Sequence, residues 1–365
     1  MSGIFGHLNL SDTDRVFSAT VGQKVIFEAA TAWINKHNEE LNRLTSVFVS
    51  GNTEEFKLRY KLPGGGYLQR RSPDGRVAAV KATGQWDVSF PLEDFGAMLA
   101  WNDVDRAYMT VEELDRHIQT VTAQNVNTVR FELLTALLDN TNATFSDPLH
   151  GDLTIRRLAN TDSSLYPPVI GSITEADDEH YLIQGAAYTS IDDDEDPWTD
   201  ANTNSINIVS ELAEHFGWAA GSDQIVSFIN TQEIPYVTAL TDFEPVDIVQ
   251  IREGAQTASV VQVPPNLPGK VIGRHRGGAW IVHWDFIPAL YVLSVHTGTE
   301  PPLKKRVDPA DTGLGTDLQL VARDDEYPFE SSIWRHRFGF GVANRLAACG
   351  TYIATGSTWS DPTLV

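Results

Sequence analysis

TVEELDRHIQTVTAQNVNTVRFELLTALLDN, residues 110–140, decides how the rest of the chain is read. It opens on a capping box: a hydroxyl at Thr110 and a carboxylate at Glu113 each cover a backbone N–H that the first helical turn leaves unpaired. Apolar residues follow at Val111, Leu114, Ile118, Val121, Val129, Leu133, Leu134, Leu137 and Leu138, mostly three or four apart, which predicts one apolar helix face. Asp115, Arg116, Gln119, Gln124, Asn127 and Arg130 take the opposite face, and neither proline nor glycine interrupts. Roughly 30 residues at about 1.5 Å each give a helix of roughly 45 Å, longer than is usual in a globular domain. A helix so long and one-sided predicts a spine laid across a sheet, with Leu114, Ile118, Val121, Val129, Leu133 and Leu137 as its core contacts. It stops at Asn140, Thr141 and Asn142, ahead of Asp147-Pro148, where proline disfavours helix in the residue before it.

Composition bounds the function. A chain of 365 residues can bury a large core and predicts two lobes. With 9 Trp and 16 Phe it is a folded protein, not a disordered one. Forty-nine acidic against 27 basic residues give a net charge of -22, which argues against gripping nucleic acid through its phosphates. One cysteine, Cys349, excludes an intrachain disulfide and a multi-thiolate metal cluster; its apolar neighbours predict a core thiol. No basic-then-apolar leader opens the sequence, and no apolar run reaches the roughly 18 residues a membrane helix needs. The expectation is a soluble protein made in a cytoplasm, without membrane contact or cofactor.

Along the chain, residues 1–20 read as an arm that needs something to lie on, and residues 22–44 as a helix with Val25, Ile26, Ala29, Trp33 and Leu44 near one face. Residues 45–49 and 55–62 alternate like strands, turns follow at Pro63-Gly64 and Pro73-Asp74-Gly75, and residues 77–90 return as a strand. Residues 50–90 thus form a two-stranded excursion before the spine. Beyond the spine, strands are predicted at 152–158, 224–230, 245–251, 270–272, 278–287, 318–322 and 332–348, and a helix at 204–216. Two acidic stretches, 175–179 and 192–196, lack the alternating ligands and central glycine of a calcium loop.

The excursion carries a charge anomaly. Between Phe56 and Ala82, Lys57, Arg59, Lys61, Arg70, Arg71, Arg76 and Lys81 stand against one acid, Asp74, so seven of the 27 basic residues occupy 27 positions of an acidic chain. A solvated hairpin would tolerate those charges. An isolated two-stranded ribbon is marginal in water, however, which favours one that docks on another acidic molecule, most simply a second copy.

Catalytic patterns are sparse. Gly339 and Gly341 lack the third glycine of a dinucleotide loop, and no serine sits in a nucleophile elbow. His283 and Asp285 stand two apart in an alternating stretch, on one face of a predicted strand, and with His275 could ligate a metal in a hydrolase.

The order of these segments resembles a tailed-bacteriophage major capsid protein across nearly the whole chain. The stretches carrying the likeness are DQIVSFIN (223–230) followed by FEPV (243–246), HWDFIPALY (283–291) with EPPL (300–303) and Arg306, and RHRFGFGVANR (335–345). The resemblance implies an α+β capsid fold, shared with encapsulins. Its parts are an N-terminal arm and helix (1–49), an extended hairpin or E-loop (50–90), a peripheral (P) domain (91–200) with the spine at 110–140, an axial (A) domain (201–325), and a C-terminal return to the P domain (326–365). One branch of that family begins with a long scaffolding region; its absence before the first helix here implies that scaffolding comes from a separate protein or is not needed. Another branch joins an E-loop Lys to an Asn beside a Glu, and Lys61 or Lys81 and Asn344 would be the counterparts, with no Glu assigned.

The function implied is a non-enzymatic shell protein. Copies of it would form the pentamers and hexamers of an icosahedral virion capsid around double-stranded DNA, assembled in a bacterial cytoplasm with scaffolding, portal and decoration proteins as partners. An encapsulin-type nanocompartment holding an enzyme cargo is the nearest alternative, and the His275, His283 and Asp285 hydrolase a remote one.

Overall fold

The computed structural model describes residues 23–61, 70–71, 73–74, 85–101, 108–160, 180–184, 191–193, 196–199, 207–214, 224–246, 264, 266–322, 330–354 and 358–364. Helix α1 (Gln23–Thr45) is followed by strands β1 (Val49–Thr53), β2 (Lys57–Lys61), β3 (Gln85–Ser89) and β4 (Glu93–Trp101). The spine is α2 (Val111–Leu138), and after it come β5 (Ala143–Asp147), β6 (Gly151–Ile155), β7 (Tyr181–Gln184), α3 (Ile208–Glu214) and β8 (Ile225–Ile229). Next are α4 (Ile234–Val237), β9 (Phe243–Pro245), β10 (Lys270–His275), β11 (Ala279–His283), β12 (Tyr291–His296) and β13 (Leu303–Arg306). Strands β14 (Gln319–Ala322), β15 (Glu330–Val342) and β16 (Ala348–Ile353) complete the chain. The architecture is α+β, as expected.

The spine begins as its sequence predicts. Glu113 N–H donates to Thr110 Oγ1 at 3.3 Å, and Thr110 N–H donates to Glu113 Oε2 at 3.0 Å, closing the capping box. Ile118, Val121, Val129, Leu133 and Leu137 are buried and Leu114 half-buried. Val111 departs from the predicted stripe: in the first turn it is exposed. At the far end Trp359 Nε1 donates to the Leu138 carbonyl at 3.2 Å, and Asp361 accepts from Asn140 N–H at 2.9 Å, so residues near the C-terminus satisfy groups the helix end leaves open.

The chain divides into two compact units. The first comprises Met1–Asn42, Glu93–Val129 and Asp308–Phe338. In it β15 is flanked by β4 and β14, both antiparallel, with Glu93 opposite Phe338 and Trp101 opposite Glu330. Ala30 and Ile34 of α1, Ile118 and Val121 of the spine, and Leu318 and Trp334 form one buried cluster, with Ala97, Leu99 and Leu320 against it.

The second unit comprises Arg43–Leu92, Arg130–Val307 and Gly339–Val365. Its largest sheet has the order β7-β16-β12-β8-β11-β10-β9. Strands β8 and β12 are buried at every position, so they read as continuous apolar runs and not as alternation. Strand β1 pairs parallel with β13, which pairs antiparallel with Gly339–Val342; β2 pairs with β3 and β5 with β6.

Several predicted boundaries shift. Residues 45–48 are a helix end and turn leading into β1, not a strand. The strand predicted over 278–287 ends at His283, because Trp284 N–H turns to the Ile229 carbonyl and Ile287 N–H to that of Trp284. The strand expected at 245–251 begins earlier, as β9; residues 247–251 lie outside the described residues, as do 1–20, 63–66, 77–84, 175–179 and the ends of the predicted 204–216 helix. The run 332–348 is broken into β15, a short 3-10 turn at Arg345–Ala347 and β16.

Candidate functional site

The basic ribbon is partly self-neutralised. Register places Arg59 opposite Asp87 and Lys57 opposite Ser89. Arg59 Nε and Nη2 donate to the two Asp87 oxygens at 2.7 and 3.0 Å, and Lys57 Nζ lies 3.1 Å from the same carboxylate. The Arg59 hydrogen bonds foremost, with Lys57 helping, hold the Asp87 carboxyl down to about 2. The ribbon's base is anchored in its own unit: Val88 and Phe90 are fully buried, and Tyr60 Oη donates to the Ala343 carbonyl at 3.0 Å. Burial first, and the Glu300 charge second, push the Tyr60 phenol up to about 12. Phe56 stacks on His150 at 3.7 Å. Arg70 and Arg71 are exposed, whereas the side chain of Lys61 and the whole of Arg76 and Lys81 lie outside the described residues.

The metal candidate does not assemble. His275 and His283 stand at opposite ends of the β10–β11 pairing, Lys270 being the residue across from His283. His275 is fully buried, with Nε2 2.7 Å from Asp196 Oδ2 and Nδ1 accepting from Gly277 N–H at 3.0 Å. Its second nitrogen is therefore committed to the backbone, and its ring stacks on Trp198. His283 Nε2 contacts Asp285 Oδ1 at 2.8 Å and Thr231 Oγ1 at 2.7 Å, and Thr231 also donates to Asp285. Among the described residues no group of three or more His, Cys, Asp or Glu is placed to hold a metal ion. In the acidic stretch, Asp193 accepts from Thr241 N–H and Oγ1, both at 2.8 Å, and Asp196 from Trp198 N–H and Thr199 Oγ1, both at 2.9 Å. These carboxylates serve loop geometry.

Other singled-out residues have structural roles. Cys349 is buried in β16. A Cβ at Gly339 would come 2.3 Å from the Pro91 carbonyl oxygen, and one at Gly341 2.5 Å from the Phe90 ring, so both glycines permit close packing inside a strand. Asn344 is buried, with Nδ2 donating to the Glu300 carbonyl at 2.6 Å.

Buried cations carry weight that sequence reading missed. Arg306 Nη2 bonds Asp147 Oδ2 and Nη1 the Phe90 carbonyl, each at 2.9 Å. Arg345, wholly buried, donates through Nε to the Leu158 carbonyl at 3.1 Å and through Nη2 to that of Asn160. The clue available was position, and only for Arg345, which sits in the apolar run GVANRLAAC where a free charge could not stay; Arg306, beside Lys304 and Lys305, gave none.

Comparison with solved structures gives the architecture its context. A structure of Mycobacterium phage Patience superposes with a TM-score of 0.63 at 18% identity, covering 95% of this chain and 92% of that one. The mature capsid of bacteriophage PhiM1 superposes with a TM-score of 0.50 at 9% identity, covering 84% and 85%. The chain has the fold of phage capsid proteins. No protein-family model matches the sequence, and neither does any curated protein. The shared fold extends over nearly the full length of both chains in the first comparison. No helix among the described residues is long and apolar enough to cross a membrane.

Proposed function

We propose that this chain is the major capsid protein of a tailed phage, self-assembling as pentamers and hexamers into an icosahedral shell around double-stranded DNA. The observation that carries the reading is the fold, shared with the mature capsid of bacteriophage PhiM1 over 84% of the chain and with the Mycobacterium phage structure over 95%. On this reading residues 50–90 are the E-loop, 110–140 the spine of a P domain, and 201–325 an A domain.

The chain's physical chemistry supports it. Trp33, Met98, Tyr108, Leu149, Tyr236 and Phe286 are exposed on the isolated chain, a spread of large apolar groups that suits repeated contacts between copies. A net charge of -22 suits a wall past which DNA must move without sticking. Weak contacts gain strength when a closed lattice repeats them.

The test is negative-stain microscopy of the overexpressed chain, alone and with a co-expressed scaffolding protein from the same genome. Closed shells of uniform size are the expected result; a monodisperse monomer under both conditions would count against it. Packaged double-stranded DNA in shells from infected cells would separate this reading from a nanocompartment filled with enzyme.

A further inference from the structure

In the first unit the apolar packing between α1, the spine and β15 is interrupted at one level. Ile34, Val121 and Trp334 are buried together, and one step further along each element stand His37, Asn125 and His336. Asn125 Nδ2 lies 3.3 Å from His37 Nε2, and His336 Nδ1 lies 2.7 Å from Asn125 Oδ1. Asn125 and His336 are buried and His37 is half-buried.

An amide offers a donor at one end and an acceptor at the other. This arrangement therefore requires a lone pair on His37 Nε2 and a proton on His336 Nδ1. We propose that the His37–Asn125–His336 bridge is an acid-labile clasp that seats α1 on the spine, closed while His37 is neutral and opened once both imidazoles are charged.

The argument is one of matching ends. A protonated His37 turns an N–H toward the amide NH2. Rotating the amide relieves that contact, but it then points NH2 at His336 Nδ1, which must give up its own proton there. One added proton is absorbed by the flip; the second is not. Burial pulls the His37 pKa below its ordinary value, and Glu40 on the same helix partly offsets this. The spine faces His37 with Asn125, and the strand faces the amide with His336. The neighbouring Arg335 and Arg337 are engaged by the Leu314 carbonyl and by Asp94 and Asp308. On β4, the residue in register with His336 is Phe95, which carries no charge. Because the seated form binds the His37 proton less tightly than the released form, seating weakens as pH falls through the ordinary histidine range.

The experiment is amide hydrogen exchange on the unassembled subunit between pH 7.5 and 5, corrected for intrinsic rates, with the buried strand β8 as internal reference. It does not depend on shell formation, so its failure would leave the capsid reading untouched. In the wild type, α1 protection should drop about tenfold or more relative to β8 at the acid end. Asn125→Asp replaces the amide by a group that accepts from both rings, so its α1 protection should hold or rise toward pH 5. His37→Gln replaces one of the two titrating rings by an amide that can meet Asn125 at any pH and should give a flat profile; it decides the matter should Asn125→Asp fail to fold. The clasp is overturned if wild-type α1 tracks β8 throughout, or if His37→Gln keeps the wild-type pH dependence.

Discussion

Arg306 and Asp147, 159 residues apart in sequence, meet in the interior of the second unit, with Nη2 2.9 Å from Oδ2. Burial opposes the Asp147 charge, but the Leu149 N–H, the Arg306 guanidinium and the His150 N–H together outweigh it and lower the pKa. A carboxyl with a depressed folded pKa contributes stability above its unfolded value and loses it as pH falls through the folded one. Arg306→Met should cost about 3 kcal/mol, since it strands both Asp147 and the Phe90 carbonyl. Asp147→Asn should flatten the acid limb of a stability-versus-pH curve from urea melts. A wild-type acid limb in Asp147→Asn would show that this carboxyl does not control it.

Leu133 and Leu137 lie on the spine at 1% and 0% exposure. Leu133→Ala or Leu137→Ala should lower stability by about 2–5 kcal/mol through lost burial and a cavity. Leu133→Asp or Leu137→Asp places an unpaired charge in the core and should give insoluble or protease-sensitive protein. Soluble, assembly-competent protein from either aspartate variant would refute the spine as a folding element.

What was legible in the sequence was local. Thr110 and Glu113 find each other three residues apart, and the apolar spacing that follows belongs to one helix, so the spine could be drawn to within two residues of its observed ends. Between Val121 and Val129 the buried face of the spine turns polar at Thr122 and Asn125: Thr122 Oγ1 donates back to the helix carbonyls of Ile118 and Gln119, while Asn125 is answered by His336, 211 residues away. Periodicity cannot see a partner at that distance. The same limit hid Arg306 and Arg345. His283 and Asp285 do meet, as their spacing suggested, but across the turn at Trp284 where β11 ends and not on a continuous strand face, and His275 is at the other end of the pairing.

His275 tests the metal reading directly. With one nitrogen against Asp196 and the other accepting from Gly277, it is a structural ring. EDTA should leave the melting temperature unchanged. His275→Ala should cost about 1–3 kcal/mol by leaving Asp196 without its imidazole. Stoichiometric zinc that disappears in His283→Ala would reverse this assignment.

The basic ribbon separates folding from assembly, and the structure divides its charges. Lys57 and Arg59 already answer Asp87 inside the ribbon, so Arg59→Glu sets like charges opposite each other and should loosen the β2–β3 pairing itself. Arg70 and Arg71 are exposed and lie between the two strands in sequence. Outside residues 56–82 the chain carries 48 acids (49 less 1) and 20 bases (27 less 7), so a neighbouring copy offers a strongly negative surface. Each exposed pair is worth only about 0.2–1 kcal/mol, less at high salt, yet in the proposed shell such terms would recur around every ring. Changing Arg70 and Arg71 together to Glu should leave circular dichroism and melting temperature nearly unchanged. It should abolish shells, or restrict them to high salt where the new repulsion is screened. A double variant that fails to fold would place the segment in the core of its own subunit, and one that assembles normally at low salt would show that these charges do not bridge copies.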